Sequence, residues 1–452
     1  MKFRDVEFDL ERDRERCLRG LAQDSSDTYK PSDAQRVTAI FKKPRFYVGG
    51  ANPSDIIQGK LGDCWFLSAL ATMSTNKDLV EQFCVERDEE VGVYGFVFFR
   101  DAKWLAVIID DFLYTSVPTF DELSSRKRQL YHNNEENYNN IARRHAKNLH
   151  FAKSEPENPE ETWVPLYEKA YAKLHGNYAA LDGGYAGEAI EDLTGGVTSL
   201  FSTKDILSPD DFWHNELSYA HEDRLFACSF DSQNQTRGVE SIGENGLIGG
   251  HAYAILRAKE YNGKRFIVLR NPWGNREWKG PWSDGSKEWS ADWLPALKEL
   301  GHSFGADGQF VMEYKDFLEK WETIDRTLLF NSTWILSSQW LKIKPRLRLE
   351  WSYGDVSFTV SLAKTSPVII VLSKLDDRYF RQLPSRSIWT FDFLVFKRGE
   401  KNPVAASLPA VFFDQRSVNA ELKNLPAGEY IVHVSLIYFR LLISLKVRVR
   451  FA

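Results

Sequence analysis

The chain has 452 residues, 43% of them hydrophobic and 14% aromatic, with 58 Lys+Arg against 63 Asp+Glu and a formal net charge of −5. That length suits two or three domains with sizeable cores and excludes disorder by composition. Nothing in it fits a collagen, a coiled coil, a disulfide scaffold or a membrane-spanning helix, which needs about 18 consecutive apolar residues, and the mild net charge gives no global field for nucleic acid.

The first residues, MKFRDVEFDLERDRERC, are charged throughout and cannot act as a secretory signal. They start on a helical period that continues to about Ala22. A glycine-rich loop, FYVGGANPSDIIQGKLG, then leads into DCWFLSALATMSTNKDLVEQFC, whose apolar residues recur at helical spacing, so Cys64 stands where a loop enters a helix. VGVYGFVFFR and KWLAVIIDDFLYT read as strands. Residues 132–162 are polar and poor in core residues, and read as an inserted, partly disordered loop. A helix resumes at ETWVPLYEKAYAKLHGNY, with Trp163, Leu166, Ala170 and Leu174 on one face. AIEDL is a short helix between glycine turns.

After Leu225 the texture turns to strands: RLFACSF, HAYAILRAKEY, KRFIVLRNPW and QFVMEY. From about residue 328 come short alternating strands with Pro or Gly turns, such as VSFTVSL, VIIVLSKL and GEYIVHVSLIYF, the pattern of an antiparallel β-sandwich. The fold class expected is α+β. A helical half at 1–196 and a β half at 197–327 enclose a cleft, and a sandwich at 328–452 follows. Residues 331–452 hold 18 Lys+Arg against 9 Asp+Glu. The acidic front and basic back can dock on each other, and the segments KIKPRLR and LKVRVR suit an anionic phospholipid surface, although outward Lys and Arg on a strand are the commoner meaning.

Four cysteines, Cys17, Cys64, Cys84 and Cys228, form neither a C-x-x-C pair nor a zinc cluster, and read as reduced thiols of a cytoplasmic protein. A thiol nucleophile needs a base, a group that orients the base and donors for an oxyanion. Cys64 lies at a helix N-terminus, which favours thiolate. Gln58, six residues upstream, can offer a side-chain amide, and the Cys64 backbone N–H a second donor. His251 opens a strand in GLIGGHAYAIL, and Asn271 ends the next in VLRNPWG. Antiparallel pairing through the 260–264 turn brings the two together, with Trp273 placed to cover them. Taken singly, each has a duller explanation: a core cysteine, a core histidine, an Asn-Pro turn. The chain order of the set is what points to a thiol hydrolase.

QGKLGDCWFLSAL, GGHAYAIL and VLRNPWG closely resemble the three active-site blocks of calpain-like, papain-type cysteine proteases. EKAYAKLHGNYAAL, EAIEDLTGGV, WKGPWSDGSKEW and SPVIIVLSKLDDRYF are similar to further segments of that family. The resemblance covers roughly residues 36–430 apart from the inserted loop. It implies a papain-like protease core followed by a calpain-type sandwich, with Cys64 as nucleophile, His251 as general base and acid, Asn271 as its orienter and Gln58 as oxyanion donor. It also implies calcium, protein substrates and Trp273 as an indole whose packing changes when the cleft closes. One calcium would be held by the carbonyls of Val48 and Gly50 with Asp55 and Glu188, and a second by Glu277, Asp284, the Gly305 carbonyl and Asp307. Where the family has a further glutamate stands Gln309, and its cross-cleft partner arginine is replaced by Pro53, so the second site is expected to be weaker. No EF-hand segment is present, so no EF-hand small subunit is expected as partner. A catalytically silent scaffold or membrane adaptor is the first rival reading. A transglutaminase-type acyl transferase is the second; Asn rather than Asp at 271 argues against it.

Overall fold

A computed structural model describes residues 1–19, 30–154, 160–231, 241–242, 244–343, 351–380, 389–411, 415–438 and 443–451. It mixes helices and antiparallel sheets in three successive hydrophobic cores, an α+β protein as the sequence pattern predicts.

The first core is built around α1 (Cys64–Met73), all ten residues of which are buried. Packed with it are α2 (Trp163–Leu174) and α3 (Ala186–Thr194), the latter stopped by Gly195 in the left-handed conformation at φ 67°. The spacing predicts one apolar face for α2, but the helix is buried nearly all round. Its charges are accommodated internally. Lys169 pairs with the Asp110 carboxylate and donates to the carbonyls of Asp110 and Phe112 at 3.0 and 2.9 Å, and Glu168 accepts the Ala152 N–H at 3.0 Å. A meander of β1 (Cys84–Asp88), β2 (Val93–Arg100) and β3 (Lys103–Asp110) completes this half.

The second core lies in a six-stranded antiparallel sheet. In chain order its strands are β4 (Val197–Ser202), β5 (Arg224–Phe230), β6 (His251–Tyr261), β7 (Lys264–Arg270), β8 (Gln309–Glu313) and β9 (Thr323–Leu328). Their order across the sheet is β8-β7-β6-β5-β9-β4. The last strand thus returns between β5 and β4, which ties the end of this segment to its beginning.

The third core is a sandwich of two four-stranded sheets. Its strands are β10 (Ile335–Ile343), β11 (Trp351–Leu362), β12 (Ser366–Lys374), β13 (Trp389–Lys397), β14 (Pro403–Ala406), β15 (Ser417–Leu425), β16 (Gly428–Tyr438) and β17 (Ile443–Phe451). They pair as β10-β17-β12-β15 and β11-β16-β13-β14, every contact antiparallel. The alternation in β11 buries Val356, Phe358, Val360 and Leu362 and exposes the residues between them. Val197 and Leu328 meet Ile369 and Val371 in a small cluster that joins the sandwich to the core. Most of KIKPRLR falls at 344–350, outside the described residues, and the side chains of LKVRVR are likewise outside them.

Two local expectations are corrected. The segment 132–154 is ordered rather than loose: a turn of helix at Glu135–Tyr138, a wider turn at Asn139–Arg143, and strand Lys153–Ser154 pairing with Ile56–Ile57. A few anchors suffice, because Tyr138, Leu149, Phe151 and Ala152 are buried and Asn148 donates to the Ala142 carbonyl at 2.6 Å. Residues 155–159 lie outside the described set. At the N-terminus, among the described residues, only Arg14–Leu18 is helical, and residues 20–22 of the expected helix lie outside the described set. Earlier, the Asp9 carboxylate accepts the N–H groups of Glu11 and Arg12 at 3.1 and 2.9 Å and holds a turn.

Candidate active site

Cys64 opens α1 at its N-terminus, facing a cleft of about 1370 Å³. Gln58, Gly62, Cys64, Gly183, His251 and Trp273 are among the residues that line it. The cleft therefore gathers the Cys64 thiol, the His251 imidazole and the Gln58 amide from sequence positions nearly two hundred residues apart.

The β6–β7 hairpin places His251 and Asn271 side by side. Tyr261 pairs with Lys264 at the turn and Ala254 with Arg270 near the far end, with a bulge between Ile255 and Arg257. His251 Nε2 lies 2.8 Å from Asn271 Oδ1, both residues being buried. The Asn271 amide is oriented by its own partners: Oδ1 accepts the Trp273 N–H at 3.0 Å, and Nδ2 donates to the Arg276 carbonyl at 3.1 Å. With an acceptor facing it, Nε2 carries the proton in the neutral ring, and Nδ1 is the basic nitrogen. The Trp273 ring lies 4.9 Å from the imidazole, tilted by 50°.

Gln58 is buried, and its Nε2 donates to the Leu61 carbonyl at 2.7 Å. A primary amide has two N–H groups, so one is spent on holding the loop before Cys64 and the other is the one an oxyanion could use. The other three thiols are poor nucleophiles: burial pushes Cys17 up to about 12 and Cys84 to about 11, and raises Cys228 as well.

The helical and β halves are locked by bonds that the sequence does not reveal. Ser68 Oγ and Thr72 Oγ1, on the face of α1, donate to the carbonyls of Ala252 and Ile255 in β6 at 2.9 and 3.0 Å. The Gln58 N–H donates to the Pro272 carbonyl at 2.8 Å. Arg270, buried beside Asn271, donates to the carbonyls of Pro53, Ser54 and Ile56 at 2.6, 2.9 and 3.1 Å, and to that of Asp307 at 2.8 Å. One guanidinium thus spans both halves, bonded to the Pro53 carbonyl and carried by the residue that pairs with Gln309 in the sheet. The only cue in the sequence was a charge ending an apolar strand, KRFIVLR.

The residues expected to hold calcium are arranged unequally. In the first set, Asp55 closes a capping box with Asn52 and accepts its N–H at 2.8 Å, while Glu188, in the first turn of α3, pairs with Arg378 Nη2 at 2.5 Å. Glu161 is fully buried, accepts the Val48 N–H at 2.7 Å and has its pKa pushed up to about 8, by burial first and then by the Asp55 carboxylate. Buried carboxyl groups, Glu161 and Asp55, thus face the Val48–Asp55 loop, where a hard cation would favour their charged forms, while Glu188 is engaged by Arg378. In the second set each carboxylate serves its own loop. Asp284 accepts from His302 Nε2 and the Gly305 N–H, both at 2.8 Å; Glu277 accepts the Gly308 N–H at 2.8 Å, and Asp307 the Gln309 N–H at 2.9 Å. Gln309 Nε2 lies 2.9 Å from His302 Nδ1, so Gln309 is wired into this network. Among the described residues no three His, Cys, Asp or Glu side chains converge in a way that could hold a metal.

A thiol at a helix N-terminus, a histidine held by an asparagine and a cleft between a helical and a β half define the class: a papain-like cysteine protease fold. Residues 3–327 match the calpain family of cysteine proteases, and the chain belongs to that family. It is 38% identical to mouse calpain-9 over 292 residues, which are 63% of this chain and 37% of that protein. It is 35% identical to the mouse calpain-1 catalytic subunit, covering 68% of this chain and 39% of the other. A similarity of 32% to the maize calpain-type cysteine protease DEK1 covers 65% of this chain and 12% of that one. The chain therefore spans less than two fifths of the length of these relatives.

Proposed function

We propose that this protein is a calcium-regulated cytoplasmic cysteine endopeptidase that makes limited cuts in protein substrates, with 1–196 and 197–327 as the halves of its protease core and 328–452 as the sandwich. The observation that carries the reading is the 2.8 Å His251–Asn271 contact beside Cys64 in one cleft. His251 Nδ1 takes the proton of Cys64, and Sγ attacks the scissile carbonyl. The Cys64 backbone N–H and the Gln58 amide stabilise the oxyanion; losing one such donor costs ~2.7–4 kcal/mol in the transition state. His251 returns the proton to the leaving amine as the C–N bond breaks, leaving a thioester. Water, deprotonated by the same imidazole, then releases the acid and the thiol. Asn271 keeps the ring in the tautomer that both transfers need.

Val48, Gly50, Asp55 and Glu188 would hold calcium in the helical half; when bound, it supplies positive charge and oxygen coordination that order this loop. The second set, already satisfied by its own N–H groups and His302, supports a weaker dependence there. Four free thiols fit a reducing compartment, and among the described residues no helix is long and apolar enough to cross a membrane. Contact with anionic phospholipid through the sandwich stays part of the reading, supported by its excess of Lys and Arg.

The test is cleavage of casein by the purified chain against Cys64→Ala, with calcium titrated from chelator to millimolar. Calcium-dependent cutting lost in the variant is expected. Cutting that ignores chelator removes calcium from the reading, and no cutting at any calcium favours a silent scaffold.

A further inference from the structure

The family match stops at residue 327, yet the sandwich reaches the back of the cleft. Arg378 follows β12 in a short turn, Arg378–Phe380, and its side chain is only 3% exposed. The guanidinium lies over the ring of Trp65, the residue after Cys64, at 3.8 Å from the centroid. Nη1 donates to the carbonyls of Ala180 and Gly183 at 3.2 and 2.9 Å, and Nη2 pairs with Glu188. Two further bonds join these groups to the nucleophile's loop. The Gly183 N–H donates to the Gly62 carbonyl at 2.8 Å, and Trp65 Nε1 donates to the Leu181 carbonyl at 2.8 Å. The packing leaves no slack: a Cβ on Gly184 would lie 2.5 Å from Arg378 Nη2 and 2.6 Å from the Trp65 ring. Gly62, Asp182, Gly183, Gly184 and Tyr185 line the cleft, and so does Val411 of the sandwich.

We infer that Arg378 is a positioning residue of the proteolytic site: the sandwich, through this one side chain, sets the wall at 180–184 and the start of α1, and with them the nucleophile. A planar fork with donors on both sides and an aromatic face beneath it fixes three elements at once, which a lysine cannot do. The inference rests on the reading of Cys64 as the nucleophile.

The test measures alkylation of Cys64 by iodoacetamide in the full chain as a function of pH, read by mass spectrometry at that cysteine. Cys17, Cys84 and Cys228 stay silent near neutrality because burial raises all three. A misplaced reacting group loses rate steeply, so Arg378→Met is expected to lower the rate near pH 7 by at least about tenfold, with Arg378→Lys in between. Because Arg378→Met strands Glu188, the double variant Arg378→Met/Glu188→Gln removes both partners together. Because Glu188 is also in the first calcium set, Glu188→Gln alone is the reference, and the double variant is expected to be slower than it if Arg378 acts through Trp65 and the 180–184 wall. A double variant no slower than Glu188→Gln alone, or an Arg378→Lys profile that overlays the wild type, overturns the proposal. A wild-type Cys64 no faster than in His251→Ala sinks the protease reading itself, a comparison made without touching Arg378.

Discussion

Two interfaces frame the cleft around Cys64, and they are made of different chemistry. The helical and β halves meet without an ion pair among these contacts: Ser68 and Thr72 donate to backbone carbonyls, the Gln58 N–H to Pro272, Arg270 to four carbonyl oxygens, and the N–H groups of Gly187 and Thr198 to the carboxylates of Asp325 and Glu191. The helical half and the sandwich meet through buried charges. Arg416 pairs with Glu191 and Asp192 at 2.7 and 2.6 Å, Arg378 with Glu188, and His175 lies between Asp376 and Asp192 at 3.0 and 3.5 Å. Hydroxyl-to-carbonyl bonds ignore pH and salt and each contributes modestly. Buried ion pairs cost dearly when one partner is lost, because the other remains charged in a dry place. The two halves flanking the cleft are thus joined mostly by small hydrogen bonds, and the helical half is braced from behind by buried ion pairs.

The sharpest way to break this contrast is Arg416→Met, which strands two buried carboxylates. It is expected to cost about 3–5 kcal/mol, read from the urea midpoint, and a loss below about 1 kcal/mol would show that the charges are not what hold the sandwich. Next comes Gln58→Ala, for which kcat/KM should fall by the equivalent of ~2.7–4 kcal/mol with the fold retained. A loss confined to KM would move Gln58 from the oxyanion to substrate binding. Ser68→Ala and Thr72→Val should each cost only about 1 kcal/mol and change little with pH, as urea melts at several pH values would show.

The smallest effect carries a pH sign. Burial alone would lower the pKa of His175, but Asp376 and then Asp192 outweigh it and the net shift is upward. The charged imidazole therefore stabilises the fold below the unfolded-state value of about 6.5, and that contribution is lost as pH rises through the higher folded-state value. The stability gap between wild type and His175→Gln should be widest in mild acid and close on the alkaline side. A gap that widens with pH would mean that His175 is buried neutral.

Much of the site was legible because its chemistry is local in sequence. A cysteine at a loop-to-helix junction and a histidine and an asparagine at the two ends of one hairpin need only strand pairing to meet, and the pairing of β6 with β7 brings them together. The order of segment 132–154 was not legible, since a handful of buried anchors outweighs a polar composition. Nor was the all-round burial of α2, since periodicity shows where apolar residues recur but not that Lys169 will find Asp110 inside the core.

The sequence by itself determined the α+β class, the family and the chain order of thiol, histidine and asparagine, because these follow from periodicity and short motifs. Only the tertiary structure decided that Arg270 joins the halves, that Asp284 is spent on His302 and that Arg378 reaches behind Cys64. In each case a long polar side chain crosses between segments far apart in the chain. Its partners are backbone carbonyls or carboxylates whose position no local pattern encodes, and burial, which makes such contacts obligatory, exists only once the cores have packed.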